Sequence, residues 1–112
     1  MYKELILFRN ELKNKSIPKY KIIGIVSELL LSKQIFSKNA DIEEFLSEVF
    51  GLKFKTYLFK SRTMVVARVT KEIIAMKKDN EYKNKLYKFV QEKIDELKDN
   101  EKKEKNQFDG WI

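Results

Sequence analysis

Six basic side chains, Lys53, Lys55, Lys60, Arg62, Arg68 and Lys71, fall within residues 52–71, and no acidic residue interrupts them. Lysines and arginines clustered in this way can neutralise several phosphates together, which is the chemistry of polyanion binding. Ser61 and Thr63 add hydroxyl donors, and a helix starting beside them would present unpaired backbone N–H groups to a phosphate. Arg62 or Arg68 could read a guanine edge through two parallel hydrogen bonds. The candidate nucleic-acid-binding set is therefore Lys53, Lys55, Lys60, Ser61, Arg62, Thr63, Arg68 and Lys71. Tyr57 and Phe59 interleave with these cations and could stack on the bases of a single strand, but helix-packing aromatics are commoner, and both are assigned to the core.

The rest of the chain offers little other chemistry. It has no histidine and no cysteine, which rules out the common nucleophile–base triads, thiolate chemistry, disulfides and zinc sites built on those residues. Its three glycines form no phosphate-cradling loop. Ser16 and Lys19 make an SxxK string without the partner motifs that would give it meaning. Glu43, Glu44 and Glu48 read as the solvated face of a helix. No catalysis, cofactor or metal is expected. Residues 1–21 hold six basic and two acidic residues, residues 22–51 two and five, and residues 72–112 ten of each. The net charge of +7 is thus mostly the property of one twenty-residue stretch, with a smaller excess at the N-terminus. The bland reading, a lysine-rich surface that only keeps the protein in solution, is weakened by that clustering.

The elements that must position these residues follow from apolar spacing. Leu5, Phe8 and Leu12 recur at helical spacing between Tyr2 and Asn14. Ser16-Ile17-Pro18 supplies an N-cap with proline in the first turn, opening a second helix that should run to about Ile35. This helix is apolar around most of its circumference and belongs in the middle of a bundle or dimer. Gly24 within it would permit close approach of a neighbouring helix. Asp41 and Glu44 resemble a capping box ahead of the stripe Ile42, Phe45, Leu46, Val49 and Phe50, and Gly51 is placed to end that helix in the left-handed conformation. With Ser61 as N-cap, Met64, Val65, Val66, Val69, Ile73, Ile74 and Met76 can be drawn as one helical stripe. The Thr and Val content also permits a hairpin across 54–70. Tyr82, Leu86, Phe89, Val90, Ile94 and Leu97 predict a last helix that frays after Lys98.

At 112 residues the chain has the length of one domain. The fold expected is all-α, a small four- to five-helix domain over residues 1–98 with a helix-turn-helix-like centre; the alternative is a winged helix with its hairpin at 54–70. Residues 99–112 read as a charged tail whose apolar end, Phe108-Asp109-Gly110-Trp111-Ile112, either docks or stays free. The longest apolar run, Ile22 to Leu31, is about half of what a bilayer requires, and Met1-Tyr2-Lys3-Glu4-Leu5 is no signal peptide. A cytoplasmic location is expected.

Ile42 to Arg68 resembles part of the C-terminal DNA-binding domain of the bacterial replication initiator DnaA. The resemblance runs through Ile42, Val49-Phe50-Gly51-Leu52-Lys53, Tyr57-Leu58, Lys60-Ser61-Arg62-Thr63, Val65-Val66 and, after a gap, Ala67-Arg68. It implies that Lys60, Ser61, Arg62 and Thr63 act as a basic loop contacting phosphate or groove. The family's helix-turn-helix signature, which contains histidine, is not in this chain, so the resemblance does not extend to an initiator. The function expected is that of a small DNA-binding protein, a bacterial or phage transcriptional regulator or a replication or partition accessory, with duplex DNA as partner and a homodimer as a possible form. The alternative is a helical interaction module, such as an inhibitor, immunity or adaptor protein, that meets an acidic protein.

Overall fold

The computed structural model describes the backbone of residues 1–77 and 80–109, with the side chains of those residues except 80, 81 and 101–109. Five helices follow one another: α1 Tyr2–Leu12, α2 Lys19–Leu31, α3 Asn39–Phe50, α4 Arg62–Ala75 and α5 Asn80–Asp109, with a 3-10 turn, Thr56–Lys60, between α3 and α4. The all-α expectation holds, and no strand occurs among the described residues. The hairpin across 54–70 is overturned, because that stretch is a 3-10 turn followed by α-helix. Val65, Val69 and Ile73 are buried at one-turn intervals, a seating that outweighs the strand preference of valine and threonine.

Two pairs of helices organise the chain. In the first, α1 lies along α5. Leu5, Phe8 and Leu12 of α1 and Tyr82, Leu86, Val90 and Ile94 of α5 all turn into the core, and Arg9 Nη1 donates to Gln91 Oε1 at 3.3 Å across the seam. In the second, α2 and α4 run antiparallel. The Lys19 ammonium at the start of α2 donates to the Met76 carbonyl at the end of α4 (2.6 Å), and Arg62 at the start of α4 reaches the Leu30 carbonyl at the end of α2 (3.3 Å). The ring of Phe45 on α3 meets Phe36 (centroids 5.2 Å apart) and Phe89 of α5 (4.5 Å), so aromatic packing joins α3 to the rest. Gly51 closes α3 at φ +67°, with Leu52 N–H returning to the Leu46 carbonyl at 3.1 Å, the left-handed end expected of it.

Several expected boundaries are corrected. Pro18, not Ser16, occupies the N-cap of α2, because the Ser16 N–H is held by the Asn14 side chain at 3.0 Å in a turn ahead of the helix. The helix ends at Leu31 rather than Ile35, where Ser32 turns to extended backbone and its hydroxyl oxygen accepts the Ile35 N–H at 3.3 Å, opening a separate turn. Asp41 and Glu44 form no capping box: α3 begins three positions earlier, with Lys38 at the N-cap and no side-chain cap. Asp41 instead sits in the first turn, where its charge complements the helix dipole. The fraying expected after Lys98 is also corrected, as α5 continues to Asp109; Lys, Glu, Asn and Gln fill that stretch without a proline or glycine to stop it. The apolar end 108–112 lies outside the residues whose side chains are described. No helix among the described residues is long and apolar enough to cross a membrane.

Candidate nucleic-acid interface

The connection from α3 to α4 determines where each cation goes. Phe59 is buried in the 3-10 turn, whereas Tyr57 is 57% exposed, so the assignment of both rings to the core is right for Phe59 and corrected for Tyr57. Ser61 then caps α4, its Oγ accepting the Met64 N–H at 3.4 Å and lying 3.0 Å from the Thr63 hydroxyl. Within α4, burial of Val65, Val69 and Ile73 turns Met64, Arg68, Lys71 and Ala75 outward, with Lys60 at the head of that side. Met64 (49% exposed) and Ile74 (61%) therefore leave the core stripe in which their spacing had placed them.

The candidate residues separate into distinct environments. Lys55, Lys60, Thr63 and Lys71 are exposed; none of the three lysines makes an ion pair among the described residues. Arg68 is exposed, with its guanidinium 5.9 Å from the Phe54 ring centroid and its Nε 3.7 Å from a Glu72 carboxylate oxygen. That pair is loose and solvent-screened, so it ties the arginine weakly. Lys53, also exposed, lies on another surface, lining an open groove on α3 together with Glu43, Glu44 and Glu48.

Arg62 has an internal role that composition did not reveal. Its Nη1 donates to the carbonyls of Leu30 (3.3 Å) and Ser32 (3.2 Å), its Nη2 to the carbonyl of Phe36, and its Nε to Asn39 Oδ1 (3.1 Å). Asn39 in turn donates through Nδ2 to the Phe59 carbonyl. A cation at the C-terminal end of α2 satisfies carbonyls that have no intrahelical partner and complements the helix dipole. The guanidinium is thus a clamp joining α2, α3, the 3-10 turn and α4.

Two further charged surfaces frame the segment. Lys13, Lys15 and Lys83 line an open groove with Asn14, Asn84, Leu12 and Tyr87, where the α1–α2 connection meets the start of α5. The excess of basic residues in 1–21 is the sequence signal for it, but only the fold brings Lys83 to the same place. Asp41, Glu44, Glu48, Glu92 and Glu96 line a cleft between α3 and α5; no acidic group among the described residues is arranged to hold a metal ion. Comparison with protein-family models, with curated proteins and with solved structures finds no match for the chain.

Proposed function

We propose that the protein binds duplex DNA through the outward side of the 3-10 turn and α4, using Lys55, Lys60, Thr63, Arg68 and Lys71. The carrying observation is that these cations project from one helix and the turn before it, with Glu72 as the single carboxylate on that helix. A helix of this kind fits a major groove, with lysines on phosphates and Arg68 able to reach a base edge. In this reading α4 is the recognition helix of a helix-turn-helix-like pair with α3. The connection, residues 51–61, is longer than the usual three- or four-residue turn, and α3, whose exposed side is acidic, faces away from the phosphates. Lys53, which opens on the acidic groove of α3, and Arg62, whose donors are engaged, are left out of the contact set. Of what the initiator resemblance implies, the phosphate-contacting part falls to Lys60 and Thr63, with Ser61 capping the helix beside them. A role as transcriptional regulator or as accessory to replication or partition follows from such binding.

The test is a titration of a duplex oligonucleotide at several salt concentrations with the protein and its Lys60→Ala/Arg68→Ala/Lys71→Ala variant. Each lost phosphate contact removes about 0.9 from the log–log salt slope, so the triple variant should lose about 1.8 through its two lysines and, with the Arg68 base contact gone as well, bind much more weakly at low salt. Equal binding by the two proteins sinks the assignment. A second reading, docking on an acidic protein, is favoured by Met64 and Ile74 standing exposed on the same helix as the cations. It predicts no salt-dependent binding to the duplex and a protein complex that survives nuclease.

A further inference from the structure

The outer side of α2 has no counterpart among the described residues. Ile22, Ile25, Val26, Leu29 and Leu30 turn into the core, and on the opposite side Tyr20, Gly24, Ser27 and Leu31 form an uncharged stripe. Tyr20 is 71% and Leu31 51% exposed. Gly24 was expected to admit a neighbouring helix, yet a Cβ built on it would meet nothing within 4 Å. Packing inside the monomer therefore does not require glycine there, although glycine weakens a helix interior.

The stripe is arranged to pair with itself. Large residues stand at 20 and 31 and small ones at 24 and 27, a spacing that reads the same in both directions. An antiparallel copy related by a two-fold axis would set Tyr20 against the second copy's Leu31, and Gly24 against its Ser27, so that the backbones approach closely at the centre. Ser27 Oγ already donates to the Ile23 carbonyl at 2.7 Å, so its burial strands no hydroxyl. Lys21 and Glu28 lie together along one edge of the stripe. The same two-fold keeps that edge on one side, bringing Lys21 of each copy within a helical turn of Glu28 of the other. A parallel two-fold would instead carry this edge to opposite sides of the pair, so that Lys21 and Glu28 of the two copies would not meet.

We propose that α2 is the seat of a homodimer, in which two copies cross antiparallel at Gly24 and Ser27 and exchange Lys21–Glu28 pairs. The experiment is analytical ultracentrifugation across the micromolar range with the full chain, with circular dichroism to confirm helix content. Wild type should pass from monomer to dimer. Gly24→Leu, which has room within the monomer, should weaken association by at least about tenfold because it blocks the crossing. Lys21→Glu and Glu28→Lys should each weaken it about fivefold, and the double reversal should return it to within about twofold of wild type, the signature of a direct pair. A wild type that stays monomeric, a Gly24→Leu protein that dimerises normally, or a double reversal as weak as the single variants would each overturn the proposal. None of these readouts involves nucleic acid, so the result is independent of the DNA reading.

Discussion

Arg62 shows how one side chain can be removed from a binding surface by its neighbours. A guanidinium is a planar fork of five N–H donors, and here it meets three carbonyls and one amide oxygen on three different segments. A lysine in its place would present a compact charge that cannot span them. Arg62→Ala leaves the carbonyls of Leu30, Ser32 and Phe36 without their donor, and hydrogen bonds to a charged group are worth about 1.5–3 kcal/mol each before resolvation. Because the site is only half-buried and water can reach some of these carbonyls, the net loss should be about 2–3 kcal/mol, read as a lower urea midpoint at unchanged slope. Arg62→Lys should lose more than half as much. Folded Arg62→Ala protein should keep the wild-type salt slope for duplex binding; a slope lower by about 0.9 would instead mean that Arg62 touches a phosphate.

At the scale of elements, α3 is fixed to the rest of the molecule by aromatic rings. Phe45 is 3% exposed and has ring contacts with Phe36, Phe50 and Phe89, so Phe45→Ala should destabilise by about 3–5 kcal/mol, measurable by thermal or urea unfolding. A loss under about 1 kcal/mol would mean that α3 packs loosely. The apolar stripes of α1, α3 and α5 were legible in the sequence because each has one face apolar and the other charged. For α4 the spacing was ambiguous: Met64 to Met76 contains two overlapping stripes, and only the neighbouring elements choose Val65, Val69 and Ile73 over Met64 and Ile74. Tyr57 was misassigned when it was grouped with Phe59, because a 3-10 turn advances about 120° per residue, which sends rings two positions apart to different sides. The end of α2 was illegible for another reason, since the apolar spacing runs on to Ile35 while Ser32 breaks the backbone and takes the Ile35 N–H with its side chain. Of the candidate site, the density of cations was visible in the sequence; their division into outward, groove-bound and internal groups depends on tertiary contacts.

On the scale of the whole molecule, charge is sorted by face. Carboxylates of α3 and α5 line one cleft, cations project from α4 and the turn before it, and a second basic groove collects Lys13, Lys15 and Lys83. The Lys19 bond to the Met76 carbonyl places the α1–α2 connection beside the end of α4, so the second groove borders the far end of the proposed contact helix. A duplex long enough to pass beyond α4 would meet these lysines next, whereas the acidic cleft would repel it and fix the orientation of approach. Lys13→Ala/Lys15→Ala/Lys83→Ala should therefore lower the salt slope by up to about 2.7 on a long duplex. On a duplex trimmed to the span of α4, about 20 Å for its fourteen residues, the same variant should bind almost as wild type does. Combined with the α4 substitutions on the long duplex, the two slope losses should add, because separate phosphate contacts release their counterions independently. If the groove variant leaves the slope unchanged at every duplex length, the contact ends with α4, and the N-terminal lysines act only on solubility.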